Sequence, residues 1–416
     1  MFRWTASNFS FINCFCACCS ILIQILSKPL FFEKSYDYIL FQMFYNGTLF
    51  VQCFFIISGL LLAYNLKTAS EKNDLNWQEV PKRIALRWLR LTPPYAITLA
   101  LAATWMRHAG SGPLWEEIVG ETVNACNLHW WKHLLFINNY FSNTQCMLQT
   151  WHIATDLQLH IMGLLVCILC KGRVRNIAIS ILYVVGFVVP GLHTIYQDLD
   201  GVLMITLVNL STFLVKDNTF LYVYVPAHTN ISNFILGIAL GHFIYHLHCK
   251  NFSLNKYKIY KCMIYTSIPI LFALILLGSV SYRNGPRLPI YVRVAFAVLL
   301  KPIFGVVFAI LILGIVFKVE KHLSGFFEAR IWTIINKISY CTYICHMAII
   351  KLLLCSQQLI RSDFFQLVHF LLGTVCMSLL AATVLWLFVE APVSGIIDSI
   401  RIGSTCKTQQ EKPKTS

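Results

Sequence analysis

The sequence is poor in charged residues and has no long polar segment. Charged residues make up 12% of its 416 residues, whereas a soluble domain usually contains about 25%. Hydrophobic residues make up 57%, and the mean hydropathy is +0.65. No linker rich in Gly, Ser or Pro separates the apolar runs. The composition therefore excludes an ordinary soluble globule and predicts one membrane domain.

Apolar runs long enough to cross a bilayer as helices recur along the chain. We therefore predict an all-α, polytopic integral membrane protein with about ten transmembrane helices. The first run also has features of a secretory signal, but an uncleaved span is the preferred interpretation. A shorter run at 202–215 predicts an interfacial or re-entrant helix. The predicted spans lie near 9–26, 46–66, 88–106, 150–170, 177–197, 232–248, 262–281, 294–317, 338–355 and 366–389.

The formal net charge of +15 does not indicate a nucleic-acid-binding protein, because the basic residues form short clusters between apolar runs. Most Lys and Arg residues fall in alternate loops, and cytoplasmic loops usually carry this excess. The pattern predicts that both termini are cytoplasmic. The sequons at Asn46, Asn209 and Asn230 then lie on the luminal side, where we expect glycosylation.

Most of the 16 cysteines lie within or beside apolar runs, which is typical of packing residues. Cys126 and Cys146 instead lie in the long predicted luminal segment 107–149. An oxidising lumen would join them in a disulfide, which would stabilise the loop by roughly 3 kcal/mol. Trp130 and Trp131 in the same loop predict either an aromatic belt at the membrane interface or part of a substrate entrance.

Three arginines before the third predicted span share one helical face. Arg83, Arg87 and Arg90 follow one another at spacings of i, i+4 and i+7. Guanidinium groups match pairs of phosphate oxygens, so this stripe could bind the phosphates of acyl-CoA or of a lipid head group. The alternative is an anchor that contacts bulk anionic lipid.

Ionisable residues within the predicted spans suggest a site for proton transfer. His152, Asp156 and His160 lie on one face at i, i+4 and i+8, and a His–Asp pair suits proton transfer near neutral pH. Structural pairing and a metal between the two histidines are alternatives, but no third strong ligand lies nearby, so we predict no metal. His346 is another catalytic candidate or a buried core residue, and Glu390 could pair with one of the arginines.

These segments together resemble the acyltransferase 3 family, and within it the nose-resistant-to-fluoxetine-like membrane proteins. The resemblance covers roughly residues 46–395, which we predict as the membrane domain. A poorly matching segment at 1–45 precedes it, and a basic cytoplasmic tail at 396–416 follows it. Each motif is weak alone, but their order and spacing are specific. The motifs are NGT at 46–48, FFIISGLL at 54–61, RWLRLTP at 87–93, WWKHLLFINN at 130–139, TWHIATDLQ at 150–158, SYCTYICH at 339–346 and EAP at 390–392.

The resemblance implies transfer of an acyl group from acyl-CoA to a hydroxyl or similar acceptor at the membrane. Arg87 and Arg90 match the arginines that meet the phosphates of the donor. The expected partners are acyl-CoA and membrane lipids, with no cofactor beyond this co-substrate. The expected location is the plasma membrane or an endomembrane.

The sequence departs from the family pattern at the expected catalytic base. The family is thought to use a histidine near the end of its first span, whereas no histidine precedes His108 here. Gln52 stands where the family usually has an acidic residue, and Asn230 where it usually has an arginine. Two functions therefore remain open. The protein is an acyltransferase in which His152 or His346 replaces the base, or an impaired member that acts in lipid or small-amphiphile transport.

Overall fold

The computed structural model describes residues 46–71, 76–141, 146–203, 217–252, 254, 257–282, 287–356 and 364–410. All regular structure in these residues is helical, and no β-strand occurs among them. Short 3₁₀ and π-helical turns connect several of the α-helices. The α-helices are α1 (Val51–Ser70), α2 (Glu79–Thr104), α3 (Glu121–Leu134), α4 (Trp151–Leu169), α5 (Gly172–Tyr196), α6 (Ile231–Cys249), α7 (Lys258–Leu277), α8 (Ile290–Ala295), α9 (Lys301–Val316), α10 (Lys321–Phe327), α11 (Arg330–Cys355), α12 (Phe364–Leu385) and α13 (Ala391–Gln410).

Seven helical stretches of the described chain are long and apolar enough to cross a membrane, which confirms the predicted class of an all-helical polytopic membrane protein. The predicted number of ten is not confirmed. The predicted span 88–106 overlaps α2, which ends at Thr104, and the predicted span 232–248 lies within α6. The arginines of α2 and the histidines of α6 reduce the hydropathy of these helices. The predicted span 9–26 lies outside the described residues. The seven stretches are Val51–Ser70, Leu148–Leu169, Gly172–Tyr196, Lys258–Leu277, Ile290–Val316, Arg330–Cys355 and Val368–Ile400.

Helices α1 and α6 pack against each other with their backbones in close approach. Gly237 lies against the backbone of Ile56, and Gly241 lies against the backbone of Leu60. From the first contact to the second, the position moves four residues toward the C-terminus on both helices. Helices α1 and α6 therefore run parallel. Small residues allow the two backbones to approach closely. The close approach provides van der Waals packing, which matters because the hydrophobic effect does not drive helix association within lipid.

Helices α4 and α5 complete a bundle around this pair. Gly163 of α4 faces the side chains of Leu62, Phe234 and Ile238, and these belong to one continuous buried apolar cluster. Gly186 of α5 lies against Ser232 at the start of α6. Because α5 begins at the opposite end of the bundle, it runs antiparallel to α6.

Two further apolar cores surround this bundle. One joins α1 and α6 to α7 and α9. The other packs α2 and the predicted luminal helix α3 against α4 and α11. The polar residues that the motifs contribute are therefore held between rigid helices rather than on exposed loops.

The close approach of α1 and α6 leads to a prediction at Gly59. A Cβ atom there would meet the carbonyl oxygen of Phe234, so Gly59→Ala must push the helices apart. We expect Gly59→Ala to destabilise the protein by about 1–3 kcal/mol, measured as a lower melting temperature in detergent. Gly373→Ala is the matched control, because nothing lies within 4 Å of a Cβ atom at that position. Equal melting temperatures for the two variants would contradict this packing.

Candidate functional site

Helices α2 and α4 contribute an ion pair that is largely buried in the protein. Arg87 Nη2 of α2 donates to Asp156 Oδ2 of α4. Both side chains are part-buried, with 29% of Arg87 and 15% of Asp156 exposed. Charges within a membrane span are costly unless they are paired, so this contact fixes α2 against α4. The sequence predicted both residues as functional but did not predict that they pair.

The Asp156 carboxylate is surrounded by further polar groups. His152 and His160 lie one helical turn before and after it on α4, and Ser58 approaches from α1. Ser58 hydrogen-bonds to the Asp156 carboxylate. His152 Nε2 and His160 Nδ1 are buried and have no hydrogen-bond partner among the described residues. Buried polar atoms are usually satisfied, so these two nitrogen atoms are available to a bound molecule.

Aromatic rings hold His152 in place. Its ring centroid lies 4.9 Å from that of Phe55, 5.3 Å from that of Phe54 and 6.1 Å from that of Tyr343. Tyr343 also contacts His346, with ring centroids 5.6 Å apart. His346 Nδ1 donates to the Tyr343 carbonyl oxygen at 2.7 Å. Tyr343, which the sequence analysis gave no role, thus links the two predicted catalytic histidines.

The arginine stripe does not act as one unit in the structure. Arg83 forms an ion pair with Glu79 at 3.6 Å, and the charges of Arg83 and Arg87 both act on His160. Arg90 is exposed, and its charge acts on Glu390 instead. The three arginines therefore have different neighbours, and phosphate binding by this stripe stays a prediction.

Glu390 lies in a π-helical turn between α12 and α13. Cys341 Sγ of α11 donates to Glu390 Oε2 at 3.0 Å. The predicted pairing of Glu390 with an arginine does not occur as a direct ion pair in the described structure. The interaction with Arg90 is electrostatic and acts at longer range.

A second polar network lies on the predicted luminal side. His133 Nδ1 contacts the Tyr95 hydroxyl at 2.7 Å, and that hydroxyl donates to Thr150 Oγ1 at 2.8 Å. His133 therefore donates through Nδ1, and its Nε2 is buried and lacks a partner in the described structure. Burial, with smaller effects of His129 and Lys132, lowers the pKa of His133 to about 3.

The predicted luminal loop is fixed to this network. Cys126 and Cys146 form a disulfide with their Cα atoms 4.6 Å apart. Asn139 Nδ2 donates to Thr155 Oγ1 at 3.1 Å and to Gln158 Oε1 at 3.0 Å. The loop motif therefore positions the first half of α4, which carries His152 and Asp156. Trp130 and Trp131 are about half exposed on the same segment.

Two of the predicted glycosylation sites do not fit the folded structure. Asn46 is 1% exposed and Asn230 is fully buried. Asn230 Nδ2, the atom that would carry the sugar, donates to the carbonyl oxygens of Tyr224 and Pro226 at 2.8 and 2.9 Å. A glycan needs a free amide that reaches the surface, so these predictions fail on burial. Asn209 lies outside the described residues and stays a prediction.

The two substitutions noted in the sequence contact each other. Gln52 Nε2 of α1 donates to Asn230 Oδ1 at 3.0 Å. Asn233 Nδ2 donates to Gln52 Oε1 at 2.9 Å, and Lys301 Nζ donates to Asn230 Oδ1 at 3.2 Å. Neither Asn233 nor Lys301 was predicted from the sequence as part of a functional site. The signal for Lys301 was present, because it is a charged residue within an apolar run.

Comparison with known proteins agrees with this architecture. The acyltransferase domain family matches residues 14–390, and the chain therefore belongs to the acyltransferase 3 family, a class of membrane acyltransferases. Nose resistant to fluoxetine protein 6 of Caenorhabditis elegans is 32% identical over 147 residues, which are 32% of this chain. The match spans 18% of the length of that relative.

A second relative matches most of the chain. Regulator of hypoxia-inducible factor 1 of Caenorhabditis elegans is 24% identical over 402 residues, which are 90% of this chain and 74% of that protein. No solved structure is significantly similar to the chain. Within the described residues, no three His, Cys, Asp or Glu side chains come together in a way that could hold a metal ion.

The buried neutral His133 leads to a prediction about pH. In the unfolded chain a histidine binds a proton near pH 6.5, but folded His133 has a pKa of about 3. Its contribution to stability is therefore complete above pH 6.5 and is lost as the pH falls toward 3. At pH 5 the loss is about 2 kcal/mol. Wild type should therefore melt at a lower temperature at pH 5 than at pH 7.5.

The matched variants test this assignment. His133→Asn keeps an amide near the position of ring Nδ1 but does not titrate, so its pH-dependent loss should be smaller than that of wild type. His108→Asn changes an exposed histidine and should leave the loss unchanged. If His133→Asn kept the full wild-type pH dependence, another group would be responsible.

Proposed function

We propose that this protein transfers an acyl group from acyl-CoA to a hydroxyl group of an acceptor at the membrane, with His152 as the general base. One observation carries the proposal. The Nε2 atom of His152 is buried without a partner in the described structure, one helical turn from a carboxylate that Arg87 holds in an ion pair. A buried histidine beside a fixed carboxylate suits proton abstraction from a hydroxyl group.

The arrangement supports a direct transfer. His152 Nε2 removes the proton from the acceptor hydroxyl while the hydroxyl oxygen attacks the thioester carbonyl carbon. The carbon–sulfur bond then breaks, and the imidazolium returns the proton to the departing CoA thiolate. Asp156 stabilises the imidazolium, and Arg87 keeps Asp156 ionised and oriented, because a carboxylate in an ion pair resists protonation.

The polar atoms around Asp156 suggest how substrates would lie. The unpartnered His160 Nδ1 could bind the acceptor or the thioester carbonyl. Arg83 lies at the end of α2 that is predicted to be cytoplasmic, where it can meet donor phosphates. We place acyl-CoA on that side and membrane lipids around the bundle, in the plasma membrane or an endomembrane.

Replacement of His152 tests the proposed base. His152→Gln should lower acyl transfer by about 10²–10⁴-fold, the usual contribution of general base catalysis. Full-length protein in detergent would receive radiolabelled acetyl-CoA or palmitoyl-CoA, with and without a total membrane lipid extract. The readout is acceptor-dependent release of free CoA.

A control separates catalysis from folding. His246→Gln changes an exposed histidine on α6 and should leave the rate within about twofold of wild type, as surface substitutions usually do. The assignment of His152 would be lost if the two variants had equal rates. If wild type itself released no CoA above the protein-free background with either donor, the proposal of acyl transfer would fail for these substrates.

The neutral Gln52–Asn230 pair favours a second candidate function, the transport of a lipid or small amphiphile. The two residues replace charged residues of the family pattern with a hydrogen-bonded amide pair at 3.0 Å. This candidate predicts that proteoliposomes translocate a fluorescent phosphatidylcholine without acyl-CoA. Protein-free vesicles prepared in parallel give the background rate. Flux at that background rate in sealed, oriented vesicles would count against transport.

A further inference from the structure

A group of basic residues outside the candidate site lies where α1 ends and α5 begins. Lys67 belongs to the last turn of α1, Arg175 to the first turn of α5, and His242 to the second half of α6. We call these three residues the basic pocket. None of them takes part in the network around Asp156 that the structure describes.

Helix packing places Arg175 and His242 at the same level of the bundle. The antiparallel helices α5 and α6 touch where Gly186 meets Ser232. Arg175 lies eleven residues before Gly186, or roughly 16 Å along α5. His242 lies ten residues after Ser232, or roughly 15 Å along α6 in the same direction.

Lys67 reaches the same region from α1. It lies seven residues, or two helical turns, after Leu60, whose backbone packs against Gly241 of α6. The charges of Arg175 and Lys67 both act on His242. They also both act on Cys167 near the end of α4. Three helices, α1, α5 and α6, therefore bring these basic side chains near one another at this end of the bundle.

The charges of the basic pocket are not compensated by the part of the protein that the structure describes. Lys67 and Arg175 form no ion pair there. Glu71 directly follows α1; it accepts a hydrogen bond from Tyr245 and forms no ion pair with Lys67 in the described structure. Both ring nitrogens of His242 and Nε of Arg175 are buried without a described partner. Converging cations repel one another, and unpaired buried donors are costly.

We propose that Lys67, Arg175 and His242 bind a phosphate ester group that enters from the end of the bundle where α1 ends and α5 begins. A phosphate offers several acceptor oxygens and the negative charge that this pocket lacks. Arg175 supplies a planar fork and Lys67 a point charge, while His242 supplies one ring N–H. The phosphate belongs to a nucleotide such as CoA or to a phospholipid head group, and binding requires no acyl transfer.

The two sources are distinguished by separate binding measurements on the full-length chain in nanodiscs of neutral phosphatidylcholine. CoA binding is measured by calorimetry, with pantetheine as the ligand that lacks the nucleotide phosphates. Phosphatidic acid binding is measured by native mass spectrometry. Arg175→Gln should weaken one of the two ligands by about tenfold or more, because hydrogen bonds between charged groups contribute about 1.5–3 kcal/mol.

Arg173→Gln is the matched control. Arg173 lies in the same helical turn but is exposed, so its loss should change affinity by less than about twofold. Loss of CoA binding alone identifies a nucleotide phosphate, and loss of phosphatidic acid binding alone identifies a lipid. Equal losses in Arg173→Gln and Arg175→Gln would mean that only bulk charge matters and would overturn the proposal.

A second variant protects the test against a folding defect. His242→Gln keeps a buried amide and should weaken the same ligand while the melting temperature in neutral nanodiscs stays close to that of wild type. Unchanged binding of both ligands in Arg175→Gln, His242→Gln and Lys67→Gln would also overturn the proposal. The test measures binding, so it gives a result even if the protein has no acyltransferase activity.

Discussion

The ion pair between Arg87 and Asp156 is the constraint on which the candidate site depends. A lone charge within a membrane span is costly, so the two residues fix α2 against α4. The pairing also determines the chemistry. A carboxylate held by a guanidinium is a poor base, because protonation would leave Arg87 without its partner. In the proposed reaction the base is therefore a neighbour of Asp156, and the buried, unpartnered Nε2 of His152 meets that requirement.

The Gln52–Asn230 contact shows that the two substitutions at these positions, which depart from the family pattern, belong together. In the sequence they are two separate losses of charge, but in space they form one hydrogen bond. Asn230 also accepts a hydrogen bond from the amino group of Lys301, so a basic side chain still lies beside it. The substitutions therefore represent one exchange at a helix contact, not two independent losses of function. This contact joins α1 to the residue that precedes α6, whereas Asp156 and His152 lie on α4.

Sequence reasoning succeeded where the signal is local. Hydrophobic runs predicted most of the helices, because the bilayer requires a minimum apolar length. Helical periodicity placed His152 and Asp156 on one face, since residues four apart lie one above the other. The partner of Asp156 could not be predicted, because it depends on how α2 packs against α4. The sequon at Asn230 failed for the same reason, since a three-residue pattern carries no information about burial.

The arginine stripe shows how the same limit affects electrostatics. Arg83, Arg87 and Arg90 share a helical face, yet Asp156 neutralises Arg87 and Glu79 pairs with Arg83. Arg90 is exposed, and its charge acts on Glu390. A polyanionic donor is attracted by net positive charge rather than by the number of arginines. In the described protein Lys67 and Arg175 form no ion pair, so a phosphate-bearing ligand would be drawn to the region where α1 ends and α5 begins.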